Sequence, residues 1–255
     1  MTPTLQVVIP SRHRTHLIKH ACSHFNAPLV CVDEGELKDY QEVLPAHMII
    51  THPSHVNNLP LIRQWILDHV EADIIFQSDD DIKEVVCLVG HNPRVLTNPD
   101  DIEAVIWNAA MNCHEAGTVL FFFASNRNPK LTSSLSPFTF TGHPVGCAMG
   151  FWREAFTREI RFHPEIRYTE SVYICLRVLQ RYRIAWCDTR FCFQPGPHMI
   201  AGGGLAGLRT REGLDADARL LKQLFGDIVT INHTRRVKAG KKGPISGQIR
   251  INVTR

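Results

Sequence analysis

The sequence predicts an α/β domain built on a mostly parallel central sheet flanked by helices, and three observations predict it. Short apolar runs alternate with amphipathic stretches through the first hundred or so residues, the β–α–β order of parallel sheets. One run, Ala72-Asp73-Ile74-Ile75-Phe76-Gln77-Ser78, stops in three consecutive carboxylates, Asp79, Asp80 and Asp81. Acids at the C-terminal end of a buried strand lie where open α/β sheets bind their ligands. The third observation is size: 255 residues, 44% of them hydrophobic, can bury a sizeable core. The length suits one domain, residues 1–232, with a basic C-terminal extension, residues 233–255.

Taken in order, Leu5 to Ile9 reads as the first strand. Pro10-Ser11-Arg12 breaks it and exposes a hydroxyl, a guanidinium and backbone donors. Arg12, His13 and Arg14 put positive charge at the start of a helix from Thr15 to Phe25, and such a helix start suits phosphate. Pro28 to Val32 is the second strand. Asp33 at its end can accept hydrogen bonds from a ribose or base, or simply close a turn. His47 to Thr51 is the third strand. Asn57-Asn58 and Pro60 then start a helix, with a core stripe of Leu59, Ile62, Ile66 and Val70. Arg63 falls off that stripe, which leaves it either on the surface or turned toward a nucleotide. The fourth strand delivers the acids.

The second half opens on a helix capped by Asn98, with Pro99, Asp100, Asp101 and Glu103 in its first turns and Gly117 at its end. Val119 to Ala124 is wholly apolar and therefore a central strand. Ser125 to Gly142 reads as a long polar loop. Val145 to Phe151 carries Gly146 and Gly150, a strand that another group approaches closely. Glu170 falls in the first turn of the helix that Tyr168-Thr169 introduces. There it serves as a general base or merely matches the helix dipole. Ile184 to Cys187 is a further strand with Asp188 at its end. Pro195-Gly196-Pro197-His198 precedes Gly202-Gly203-Gly204, a run able to order over a ligand. A helix from Leu214 to Phe225 and a strand at Gln248 to Val253 complete the chain.

Three adjacent carboxylates repel one another unless a cation or hydrogen-bond donors hold them. Hard cations such as Mg²⁺ or Mn²⁺ bind carboxylate oxygens and share substrate phosphates. A solvated acidic turn is the competing reading. Several patterns are missing. No G-x-G-x-x-G follows the first strand, and no G-x-x-x-x-G-K-[ST] occurs, which disfavours a dinucleotide fold and a P-loop enzyme. The eight cysteines form no Cys-x-x-Cys pair, so zinc is not expected and a reduced, cytoplasmic compartment is. No apolar run reaches the roughly 18 residues that span a bilayer, and Met1 to Val8 lacks a secretory pattern. The net charge of +3 divides unevenly. Residues 233–255 carry seven basic residues and no acid, which leaves −4 on the remainder. Arg235, Arg236, Lys238, Lys241 and Lys242 therefore suggest an anionic partner such as a phosphate backbone, against the alternative of a solvated tail.

The residues Val7-Val8-Ile9-Pro10-Ser11-Arg12, Val30-Cys31-Val32-Asp33, Phe76-Gln77-Ser78-Asp79-Asp80-Asp81, Tyr168-Thr169-Glu170 and the late His198 together resemble GT-A fold glycosyltransferases over about residues 5–200. Within that superfamily the chain is most similar to the TET-associated glycosyltransferases of bacteriophages, which act on hydroxymethylated pyrimidines in DNA. The resemblance implies a GT-A-like single domain with a D-x-D motif. It implies a nucleotide-sugar donor, a UDP-sugar first, bound by Pro10, Ser11, Arg12, Asp33, Arg63, Asp79 and Asp80. It also implies Mn²⁺ or Mg²⁺ on Asp79, Asp81 and His198, in a Lewis-acid role toward the diphosphate. Glu170 stands where the family's catalytic acid meets the acceptor hydroxyl. Many members read Glu-Asp there and this chain reads Glu170-Ser171, so Asp188 is the second candidate base. The expected acceptor is 5-hydroxymethylcytosine in DNA, whose C5 substituent lies in the major groove, with the basic tail on phosphates in the host cytoplasm. The alternatives are a glycan, lipid or protein acceptor, a non-enzymatic nucleotide-binding module, and a nucleotidyltransferase. Pro10-Ser11-Arg12-His13 lacks the Gly-rich first loop of the last.

Overall fold

The computed structural model describes residues 2–90, 92–124, 126–128, 136–140, 146–196, 210–231 and 249–251. Its centre is an eight-stranded sheet in the order β3-β2-β1-β4-β9-β7-β10-β8. These strands are β1 (Leu5–Pro10), β2 (Leu29–Asp33), β3 (Ile49–His52), β4 (Ile74–Ser78), β7 (Leu120–Phe123), β8 (Phe138–Thr139), β9 (Ala148–Trp152) and β10 (Trp186–Asp188). The pairs β1–β2, β2–β3, β1–β4 and β7–β10 are parallel, whereas β9 runs antiparallel between β4 and β7, and β8 antiparallel to β10.

Alternation along the strands decides the layering. Val7, Ile9, Ile74, Phe76, Phe121 and Phe123 face one side with α1 (Thr15–Cys22), α2 (Leu37–Gln41) and α4 (Pro99–Glu115). Val8, Ile75, Leu120, Phe122, Met149 and Phe151 face the other with α3 (Leu59–His69), α5 (Arg153–Arg158) and α6 (Glu170–Tyr182). Because successive side chains point to opposite faces, each uninterrupted apolar run serves both cores. Every residue of β4 and of β7 is buried. At Gly150 of β9 the close approach is with Phe121: a Cβ there would fall 1.8 Å from that ring.

The helix caps follow from the sequence. Asn58 accepts from the Leu61 N–H and Asn98 from the Asp100 N–H, each with proline in the first turn. Gly117, after α4, has φ +75°, the left-handed region. Five strands, β5 (Ile82–Cys87), β6 (Arg94–Leu96), β8, β11 (Phe191–Pro195) and β12 (Val229–Ile231), lie outside the expected set. Of these, β5, β6 and β11 form a small antiparallel sheet in the order β11-β5-β6, with β5 directly after the acids. β8 lies inside the segment expected to be all loop. The last helix, α7 (Arg211–Phe225), leads to β12 (Val229–Ile231), which pairs antiparallel with β13 (Ile249–Ile251).

The chain runs β1, β2, β3 to one side of the sheet, and α3 then carries it back to β4 on the other side of β1. The strand order therefore reverses between β1 and β4, and the crevice beyond their C-terminal ends is where such sheets bind ligands.

Candidate functional site

Ser11, just past β1, and Asp79-Asp80-Asp81, just past β4, meet at that reversal. Asp80 is 6% exposed. Its Oδ2 accepts from Ser11 Oγ at 2.7 Å and its Oδ1 from Arg14 Nη1 at 2.7 Å. Ser11 Oγ also lies 2.7 Å from the Tyr40 hydroxyl. Arg14 Nη1 reaches Asp81 Oδ2 at 3.3 Å. Arg14 thus turns inward from the start of α1 and braces the acids, rather than offering its charge at the surface. Burial pushes the Asp80 carboxyl upward against Ser11 and Arg14, which pull it down.

Arg63 has no solvent exposure, which removes the surface reading. Its Nη1 donates to Gln77 Oε1 at 3.2 Å, and its Nη2 to Asp79 Oδ1 at 3.0 Å and to the Gly146 carbonyl at 2.5 Å. Its Nε lies 3.6 Å from Glu170 Oε1. One guanidinium therefore ties the acids after β4 to the first turn of α6. Gly146 passes so close that a Cβ there would sit 3.2 Å from Glu170 Oε1. The Asp79 carboxyl is pushed up to about 7: desolvation comes first, Arg63 opposes it, and Asp81, Asp80 and Glu170 add to it. Its side chain keeps 30% exposure. Desolvation is therefore incomplete, and the upward direction also rests on the crowding of acids.

At the rim, Asp33 Oδ1 accepts from the Gly35 N–H at 2.8 Å and from Ser54 Oγ at 2.7 Å. Although desolvation raises its carboxyl, those two bonds with nearby His52 and Arg12 hold it below the usual range. Arg12 is half-exposed and donates to the Asn57 carbonyl at 3.3 Å. Pro10 is buried as the last residue of β1. Asp188 stands apart from the acids that follow β4. It closes β10, three strand positions from β4, roughly 14 Å by ordinary strand spacing. Both its oxygens accept from Arg190, at 3.0 and 2.7 Å. His198, Gly202 to Gly204, and Arg235, Arg236, Lys238, Lys241 and Lys242 lie outside the described residues.

Sequence reasoning placed Arg14 at a helix start suited to phosphate rather than against Asp80, and it missed Tyr40 and Gln77 at this site. Gln77 carried a signal: an amide inside the otherwise apolar run of β4 requires a buried partner. It has one in Arg63, since its Nε2 donates to the Arg63 carbonyl at 3.0 Å.

The donor set suits a hard divalent cation. Four carboxylates (Asp79, Asp80, Asp81 and Glu170) face two guanidiniums, those of Arg14 and Arg63. Asp80 has both oxygens engaged, which leaves Asp79 and Asp81 as the ligand candidates. Among the described residues no three His, Cys, Asp or Glu side chains form a ready cage. Two carboxylates completed by substrate phosphates is a common arrangement for Mg²⁺.

The model of the TET-associated glycosyltransferase family matches residues 5–187. The chain belongs to that family. Its fold is the GT-A fold of several solved glycosyltransferases. Glucosyl-3-phosphoglycerate synthase from Mycobacterium tuberculosis, with Mn²⁺, UDP and product, superposes with TM-score 0.53 at 13% identity, over 87% of this chain and 80% of that one. Staphylococcus aureus TarS 1-349 with UDP-GlcNAc gives 0.51 at 10%, over 86% and 66%. The Pyrobaculum calidifontis mannosyltransferase with GDP-Man and Mn²⁺ gives 0.50 at 14%, over 88% and 62%. This member of the family thus spans less than two thirds of the last two. A search of curated protein sequences found no match. Among the described residues no helix is long and apolar enough to cross a membrane.

Proposed function

We propose that the chain moves a sugar from a nucleotide-sugar donor, a UDP-sugar first, to the hydroxymethyl group of a 5-hydroxymethylpyrimidine in DNA, with Mn²⁺ or Mg²⁺ as cofactor. The observation that carries the proposal is the convergence of Asp79, Asp81, Arg63 and Glu170 at the β1–β4 crevice, in a chain of this family. The donors and ions named for the structural relatives support a nucleotide sugar with a divalent cation. The family's TET association supports the acceptor.

In this reading Asp79 and Asp81, joined by His198, hold the cation. When bound, it supplies Lewis-acid stabilisation of the leaving diphosphate. Ser11 and Arg14 lock Asp80, so the turn that carries its two neighbours keeps its aim. Asp33 and Arg12 bound the nucleoside. Glu170, held beside the Arg63 guanidinium, is the carboxylate that takes the acceptor hydroxyl's proton. Asp188, chelated by Arg190, is the weaker candidate for that base. Arg235, Arg236, Lys238, Lys241 and Lys242 neutralise DNA phosphates in a salt-dependent way.

The test is incubation with Mn²⁺, duplex DNA containing 5-hydroxymethylcytosine, and each of UDP-glucose, UDP-galactose, UDP-N-acetylglucosamine and GDP-mannose, followed by digestion to nucleosides and mass spectrometry. A modified nucleoside heavier by one sugar residue is expected with at least one donor. Unmodified nucleosides with all four, while a glycan or protein acceptor gains the sugar and UDP or GDP is released, would move the activity to a different acceptor.

A further inference from the structure

The helix α7 begins beyond residue 187, where the family match ends, yet it is bonded to the start of α6. Asp217, in the middle of α7, is 2% exposed. Its Oδ2 accepts from the Tyr168 N–H at 2.7 Å, the Thr169 N–H at 2.9 Å and Thr169 Oγ1 at 3.0 Å. Its Oδ1 accepts from the Arg167 N–H at 3.2 Å. Three successive backbone N–H groups converging on one carboxylate make an anion nest, filled here from within the chain. Thr169 is the N-cap residue of α6 and makes no cap with its own side chain, its hydroxyl being turned to Asp217. One turn earlier on α7, Gly213 lies under Tyr168, where a Cβ would fall 2.3 Å from the ring. Leu221 and Phe225 continue the contact onto Ile166 and Tyr173.

The next residue after Thr169 is Glu170. A first turn is the part of a helix that frays most readily, because its N–H groups lack partners within the helix. Burying a carboxylate is costly unless donors compensate it, and four donors do so here. Apolar contacts alone would hold α6 in place without fixing the rotation of its first turn.

We infer that Asp217 is a positioning residue that fixes the start of α6 and thereby aims the Glu170 carboxylate. The inference rests on the role proposed above for Glu170. Asp217 itself touches no reacting atom; it acts through the Tyr168-Thr169 backbone. The C-terminal helix is then part of the catalytic domain, and the machinery extends past the segment the family model covers.

The test compares the full-length wild-type protein with Asp217→Asn, Thr169→Val, Glu170→Gln, the Asp217→Asn/Glu170→Gln double variant and Lys222→Ala. Lys222 pairs with Asp227 on the exposed side of α7 and serves as the control. Amide hydrogen exchange and steady-state sugar transfer to 5-hydroxymethylcytosine DNA are both read. Asp217→Asn is expected to speed exchange at the Tyr168 and Thr169 amides and to lower kcat about ten- to a hundred-fold, with donor KM within about three-fold. Thr169→Val, which removes one donor and keeps the shape, is expected to fall between and guards against a misfolded Asp217→Asn. The double variant is expected to be no slower than Glu170→Gln alone, the non-additivity of two residues acting through one group. Unchanged amide protection, or kcat within about two-fold of wild type in Asp217→Asn while Glu170→Gln is inactive, overturns the role of Asp217 and leaves that of Glu170 standing. Wild-type turnover in Glu170→Gln overturns the base assignment and with it the catalytic consequence claimed for Asp217.

Discussion

A guanidinium without solvent exposure must find its acceptors inside the protein. Arg63 finds Gln77, Asp79 and the Gly146 carbonyl, with Glu170 alongside. Removing it leaves two buried or half-buried carboxylates uncompensated, and breaking such pairs costs about 3–5 kcal/mol. Because Asp79 is partly solvated, Arg63→Met is expected at the low end, about 3 kcal/mol less stable by chemical denaturation and inactive. A loss below about 1 kcal/mol would show that the cluster does not need this charge. Asp81→Asn is the complementary case. It is expected to abolish metal-dependent turnover while the unfolding midpoint stays near wild type, and unchanged turnover would contradict its role as a ligand. The acids were legible in the sequence because an apolar strand stops dead in them. Arg63 was legible only as one of two alternatives, surface or turned toward a nucleotide, because a helical stripe of Leu59, Ile62, Ile66 and Val70 supposes one buried face. α3 instead buries Pro60, Ile62, Arg63, Gln64, Ile66 and Leu67, more of its circumference than an amphipathic helix would.

The strand β9 shows how one small residue sets an element's place. It sits antiparallel between β4 and β7, and Gly150 lies opposite Phe76 on one strand and Phe121 on the other. Phe121 fills the space a side chain would need. Gly150→Ala is therefore expected to cost about 2–3 kcal/mol in a denaturant titration, as overpacked cores do. Phe121→Leu should recover part of that loss in the double variant, because the two positions share one contact. An additive double variant would place the strain elsewhere. At this scale the glycine in an apolar run was a readable sign, as were the Asn58 and Asn98 caps. The sheet of β5, β6 and β11 was not. In β5 the pair Lys83-Glu84 interrupts the apolar pattern, and β6 has three residues, too few for periodicity to register.

Across the whole molecule all eight cysteines are buried free thiols, packed as small hydrophobes. Burial pushes Cys22 and Cys192 up to about 11 and Cys187 up to about 12. Since the thiolate is the nucleophile, iodoacetamide at about pH 8 is expected to leave the native protein unlabelled and to label it in urea. Rapid native labelling would contradict the packing. The native thiols hold protons that the unfolded chain releases from about pH 9, so stability should fall as pH rises from about 9 toward 11. The parallel half of the sheet was legible as β–α–β order, because each strand is one short apolar run, whereas the reversal of strand order beside β1 came only with the structure. The charge balance of the crevice was not legible, because Arg14 lies 66 residues from Asp80, and Arg63, though only 16 from Asp79, sits off the apolar stripe of its helix.

The physical claim beneath the rest is that Asp79 and Asp81 make the β1–β4 crevice a site for a divalent cation with a diphosphate. Calorimetric titration of UDP into the full chain, with and without Mn²⁺, tests it on the wild type and on Asp81→Asn. The account predicts UDP binding at least about ten-fold tighter with Mn²⁺ in the wild type, about 1.4 kcal/mol, and no such gain in the variant. Equal UDP affinity with and without Mn²⁺ in the wild type would contradict it.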